Sequence, residues 1–208
     1  MIKKKTASEI LDRLSVAYPD AGCALHFNNP FQLLVAVVLS AQTTDVSVNG
    51  ITPKLFEKYP DPGALAAADQ DEVAGIIKSI GMYRTKSANI IALSRRLIDD
   101  FGGEVPGDFD SLVSLPGVGR KTANVVLAEA FGEQRIAVDT HVFRVSNRIG
   151  LADAKTPEET EEQLKRVLPG NRYTEAHHLL IFHGRRCCSA RKPSCDTCPI
   201  NDLCEKNL

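Results

Sequence analysis

Tryptophan is absent from this 208-residue chain, and aromatic residues make up only 6% of it. A protein that holds many unstacked bases needs a platform of aromatic rings, so that mode of nucleic-acid binding is disfavoured. Long apolar runs are missing too. The longest, Phe31 to Ala41, is broken by Gln32 and Ser40, is too short to cross a bilayer, and reads as a buried core helix. The basic start Met1-Ile2-Lys3-Lys4-Lys5 is followed by no apolar stretch of the kind a secretory signal carries. No alternating run predicts a strand, there is no βαβ rhythm, and no repeat is visible. Neither sign of charge prevails: 25 Lys/Arg face 26 Asp/Glu, a net charge of −1.

What is present is helical periodicity around an ordinary soluble composition, 43% hydrophobic and 25% charged. Apolar stripes and breakers predict helices ending at Pro19, over Phe31–Ala41, Val48–Tyr59 and Gly63–Ala68, and around Val73–Ile80. Others follow over Ala88–Phe101, Asp108–Ser114, Thr122–Phe131, Val142–Ile149, Pro157–Leu168 and Tyr173–Phe182. In Ala88–Phe101 the inward face is read as Ile91, Leu93, Leu97, Ile98 and Phe101. The fold class is all-α, with about ten helices and short connections. The best break is Gly132-Glu133-Gln134-Arg135. The neutral whole also divides: residues 1–110 carry 11 basic and 14 acidic side chains, residues 111–208 carry 14 and 12. Arg185, Arg186, Arg191 and Lys192 gather near the late cysteines, so a local basic face on a neutral protein is one reading and an ordinary solvated surface the other.

The run Leu115-Pro116-Gly117-Val118-Gly119-Arg120-Lys121 joins two helical patterns through a Pro/Gly turn, a helix-hairpin-helix. Gly117 and Gly119 permit positive φ and close backbone approach, and the second helix starts with N–H groups suited to a phosphate. A lysine in that first turn is either a phosphate contact or a nucleophile. The helix N-terminus and Arg120 both disfavour its ammonium form, and a free amine can attack a sugar carbon to give a Schiff base. Eighteen residues later Asp139 precedes another helix. Its plainer role is an N-cap. In a cleft it would stabilise positive charge on a deoxyribose or assist proton transfer at Lys121, and the two roles are compatible. Thr140 and His141 fill the first turn, with His141 structural or a phosphate contact.

Six cysteines occur, four in the last 21 residues. With no secretory signal, an intracellular, reducing compartment is expected, where clustered thiols bind metal more often than they form disulfides. Cys188-x6-Cys195-x2-Cys198-x5-Cys204 suits a [4Fe–4S] cluster or tetrahedral zinc, and spacing does not separate the two. Cys187 leaves the first ligand ambiguous by one residue. Cys23 reads as small and buried, and His183 as structural. With four protein ligands the metal would be a scaffold, presenting Arg191 and Lys192 to phosphates.

Taken together, Leu39-Ser40-Ala41-Gln42-Thr43-Thr44-Asp45, the hairpin through Lys121, Val138-Asp139-Thr140-His141-Val142 and the cysteine spacing resemble bacterial endonuclease III, the DNA glycosylase/AP lyase of the helix-hairpin-helix superfamily, over nearly the whole length. The resemblance implies two helical domains with a DNA-binding cleft between them. Residues 23–133 would be a six-helix barrel, and residues 1–22 with 134–208 a domain carrying a [4Fe–4S] cluster on Cys188, Cys195, Cys198 and Cys204. It implies Lys121 as nucleophile and Asp139 as its carboxylate partner. The DNA contacts implied are the hairpin residues Leu115, Pro116, Gly117, Val118, Gly119 and Arg120, then Thr140 and His141, and Arg191 and Lys192. Gln42 would fill the space left by a flipped base and Met82 would act as a wedge where relatives often place a leucine. The substrate implied is double-stranded DNA with oxidised pyrimidines or abasic sites, cut by β-elimination, in a cytoplasmic, nucleoid-associated monomer with no membrane partner. Related adenine-mismatch enzymes lack the lysine, thymine-mismatch enzymes place a tyrosine there, and 8-oxoguanine enzymes keep the lysine without the cysteines. A non-catalytic DNA-binding module braced by zinc or iron–sulfur is the alternative, and a redox sensor a third reading that leaves the hairpin lysine unexplained.

Overall fold

Short polar side chains set where most helices begin. In the computed structural model, which describes residues 2–207, Asn29, Thr44, Asp61, Asp69, Asp108 and Thr156 each accept a hydrogen bond from a backbone N–H in the first turn of the helix that follows. The helices are α1 (Lys4–Ala17), α2 (Pro30–Leu39), α3 (Asp45–Lys58), α4 (Pro62–Ala66), α5 (Gln70–Ile77), α6 (Tyr83–Phe101), α7 (Phe109–Val113), α8 (Arg120–Phe131), α9 (Thr140–Ile149), α10 (Pro157–Val167) and α11 (Tyr173–Arg186). Two single 3₁₀ turns lie at Gly170–Arg172 and Cys195–Thr197, and no strand occurs among the described residues.

The chain forms two compact units. One is Ala24–Gly132 and holds α2 to α8; the other joins Met1–Cys23 to Glu133–Leu208 and holds α1 and α9 to α11. In the first, α2 is apolar on all sides, and every residue after Pro30 is buried, as a central helix requires. It packs against α3, α6 and α8, while α6 also covers α4 and α5. In the second, Ile10, Leu11 and Leu14 of α1 pack into one core with Val142, Val145 and Ile149 of α9 and Leu179 and Leu180 of α11. Gly184 lets α9 and α11 meet closely: a Cβ there would stand 3.0 Å from Val145 Cγ2. Polar contacts tie α1 to the C-terminal segment, with Tyr18 Oη 2.9 Å from His183 Nδ1 and Arg172 Nη1 donating to Asp12 at 2.6 Å.

Several boundaries differ from those the periodicity predicts. α3 starts three residues before Val48 because Thr44 caps it, and α6 starts at Tyr83, a turn before Ala88. α11 runs on through Arg186. Ile98 is 42% exposed, not inward, and Cys23 is only half-buried. No helix among the described residues is long and apolar enough to cross a membrane.

Candidate functional site

In the unit built from α2 to α8, the hairpin is a hydrogen-bonded four-residue turn. Val118 N–H donates to the Leu115 carbonyl at 3.1 Å, with Pro116 and Gly117 at the two central positions. Gly117 has φ 76°, as the third residue of such a turn requires, whereas Gly119 is extended at φ −99° and serves as N-cap of α8, so only the first of the two glycines takes a positive φ. Leu115 and Val118 are buried and anchor the turn. Gly117 also backs onto Asn89, whose side chain would lie 3.1 Å from an added Cβ. Gly117→Ala therefore meets both a left-handed backbone and a tight neighbour. We expect it to lower stability by about 1–2 kcal/mol in thermal unfolding and to weaken binding to undamaged duplex. An unchanged melting temperature would show that the turn relaxes freely.

Past the turn, no side chain caps α8. Its free first-turn N–H groups make this a helix N-terminus that favours an anion. Arg120 stacks its guanidinium over Phe109, 5.2 Å from the ring centre, and Lys121 is exposed in the same first turn. Two other loops of this unit stand out. Gln42 and Met82 are exposed and hold φ 54° and 58°, conformations that non-glycine residues adopt at a cost. Met82 leaves a large apolar side chain 56% exposed. Beside them Lys86 is buried, its Nζ 2.7 Å from Thr43 Oγ1, and burial lowers its pKa.

In the other unit, Asp139 caps α9. Its Oδ1 accepts from His141 N at 2.9 Å and from Val142 N at 2.8 Å, and neither bond uses Oδ2. Thr140 is exposed and His141 half-buried; burial lowers the His141 pKa, with Asp139 acting in the opposite direction. One turn on, Arg144 donates to the carbonyls of Gly184 and Cys188 at 3.0 and 3.1 Å. Arg148 donates to the carbonyls of Ser189 and Ala190, both at 2.7 Å, and lies 3.7 Å from Cys188 Sγ. The helix that Asp139 starts thus also holds the beginning of the cysteine loop. Sequence reading missed both arginines; their one signal is placement at i+4 on the polar side of α9. Arg191 and Lys192 are exposed in that loop.

The cysteine segment closes on a small pocket lined by Cys187, Cys188, Cys195, Cys198 and Cys204 together with His183. Thiolates converging on a protected pocket, one of them beside a guanidinium, are the donor set an iron–sulfur cluster requires. Cys187 shares the pocket: its Sγ, Cys198 Sγ and a His183 ring nitrogen lie within 4.8 Å of one another. Burial drives the His183 pKa down to about 4, and His183 is fixed by Tyr18, in keeping with a structural histidine.

Residues 35–170 match the family described as HhH-GPD superfamily base excision DNA repair protein, and residues 188–204 match the iron-sulfur binding domain of endonuclease III. Endonuclease III of Escherichia coli (strain K12) is 50% identical over 98% of this chain and 97% of its own length. That of Bacillus subtilis (strain 168) is 49% identical over 99% and 94%. A solved structure of a trapped endonuclease III–DNA covalent intermediate, an estranged-adenine complex, superposes with a TM-score of 0.94 at 48% identity, covering 99% of this chain and 97% of that one.

Proposed function

The chain belongs to the endonuclease III family of HhH-GPD base excision DNA repair proteins and is a DNA glycosylase and AP lyase with a [4Fe–4S] cluster; we propose that both activities run through Lys121 and Asp139. The substrate we assign is double-stranded DNA carrying an oxidised pyrimidine or an abasic site. The observation that carries the assignment is the position of Lys121: an exposed amine in the first turn of a helix that directly follows a phosphate-suited hairpin.

The domains we assign are residues 23–133 as the barrel with the hairpin, and residues 1–22 with 134–208 as the cluster domain. The damaged nucleotide is flipped out of the stack, which costs a few kcal/mol and least for a damaged base. Gln42 takes the vacated space and Met82 wedges the step. Leu115 to Arg120, Thr140, His141, Arg191 and Lys192 hold the strand, mostly by its phosphates. The Lys121 nitrogen then bonds to C1′ as the glycosidic bond breaks and the base leaves. Opening of the sugar ring gives the Schiff base. Loss of a C2′ proton lets the C3′–O bond break, which nicks the strand on the 3′ side of the lesion, and hydrolysis returns the free amine. Asp139 stabilises the positive charge that develops on the sugar, or carries a proton to or from Lys121.

Cys188, Cys195, Cys198 and Cys204 are the ligands we assign to the cluster. With the cluster bound, these four thiolates would brace the loop that carries Arg191 and Lys192, leaving the bond making to Lys121 and Asp139. The working form is a monomer acting on nucleoid DNA in the cytoplasm. The test is borohydride reduction on duplex containing an abasic site. A one-to-one covalent adduct is expected; no adduct and no nicking by the intact protein would end the lyase assignment.

A further inference from the structure

Lys86 is the one buried lysine among the described residues, 4% exposed, yet it lies at the start of α6 next to the most exposed apolar side chain of that region, Met82. Burying an ammonium among apolar side chains is costly unless something useful holds it. Lys86 meets Thr43, the residue directly after Gln42. Its backbone N–H also donates to the Met82 carbonyl at 2.9 Å. One residue therefore touches both loops whose exposed tips sit at positive φ. The Thr43 end is itself fixed, its N–H donating to the Ser40 carbonyl at 3.0 Å at the end of α2.

We propose that Lys86 is a positioning residue that fastens the Gln42 loop to the Met82 loop, so that the two left-handed side chains enter DNA as one preset wedge. The proposal rests on the assignment of Gln42 and Met82 to the opened duplex. Each strained residue alone would relax toward an ordinary backbone. Unfastened, the two tips would move independently, and each would have to be ordered again when DNA arrives. The bridge places that ordering in folding instead of binding, which is how preorganisation raises the rate of a binding-coupled step. Lys86 itself touches neither base nor sugar.

The test uses the full-length protein with its cluster, and Lys86→Met, Thr43→Ala, Thr43→Ser and the double variant Thr43→Ala/Lys86→Met. The first reading is single-turnover excision from lesion-bearing duplex. The second is the fluorescence rise of 2-aminopurine placed beside the lesion, which reports unstacking. The third is borohydride trapping on a single-stranded abasic oligonucleotide, which has no stack to open. Thr43→Ala and Lys86→Met are each expected to slow duplex excision about tenfold and to reduce the fluorescence rise. The double variant should be no slower than the slower single one, Thr43→Ser should restore both duplex readings, and trapping on the single strand should stay at the wild-type rate. Thr43→Ala hardly disturbs the core, so it decides the matter should Lys86→Met fail to fold. Wild-type fluorescence and excision in Thr43→Ala overturn the proposal, as does an equal loss on single and double strands. If Gln42→Ala/Met82→Ala leaves the duplex fluorescence rise intact, the wedge assignment itself has failed, a result separate from any behaviour of Lys86.

Discussion

Lys121→Ala is expected to give no borohydride adduct with abasic DNA and to lose strand nicking by at least about a thousandfold, with binding to the same duplex changed far less. The distinction follows from where the residue stands. The groups suited to holding the strand are the turn from Leu115 to Gly119 and the N-terminus of α8, and these are backbone groups that survive the substitution. Lys121 is exposed, so truncation leaves no cavity and the fold should be untouched. An electrophoretic shift and a trapping gel on the same samples separate the outcomes. If the variant still traps at the wild-type rate, the nucleophile lies elsewhere and Lys121 is a phosphate contact. If binding collapses along with trapping, the residue is chiefly electrostatic.

Asp139→Asn should cut base excision by about 10²–10⁴-fold while leaving stability and binding to undamaged DNA nearly unchanged. Asparagine is the choice because it caps helices as well as aspartate does. The Asp139 side chain takes both of its backbone hydrogen bonds on Oδ1, and an amide oxygen can accept the same pair. The variant thus keeps the start of α9, and with it Arg144 and Arg148 on the cysteine loop, and removes only the negative charge. Asp139→Ala would confuse the two roles, since loss of the cap costs about 1 kcal/mol by itself. Single-turnover excision at fixed pH, read beside thermal unfolding, decides. Normal excision by Asp139→Asn would leave the residue as a cap alone.

Which parts of this arrangement the sequence exposes depends on how local their cause is. Asp139, the hairpin and the cysteine spacing are legible because residue type and neighbour distance contain most of the chemistry. The all-α class is legible for the same reason, since every long helix carries its own stripe and stop. Helix starts are less so. Thr44 begins α3 ahead of the first apolar residue, and α6 begins after Met82, which caps with no side-chain bond and matches no start signal. Gly117 and Gly119 look equivalent in sequence, yet only one lies inside the turn. Lys86 is the least visible: a lysine in a polar first turn reads as solvated, and only the folded chain shows it buried. Arg144 and Arg148 likewise gain their meaning from carbonyls 40 to 44 residues away.

The unit that carries the cysteines is assembled from segments on either side of residues 24–132, and this sets an order of events during synthesis. The intervening unit has all its residues once Gly132 has emerged. Helix α1 does not: the apolar face of Ile10, Leu11 and Leu14 is covered by α9 and α11, made much later. At ribosomal speeds the stretch from residue 133 to 207 takes about 4–15 s. For that interval the nascent chain displays a sticky amphipathic helix with no mate, beside a neighbour already folded. The thiols of the last segment leave the ribosome only at the end of that interval, after α9 and α11 are complete.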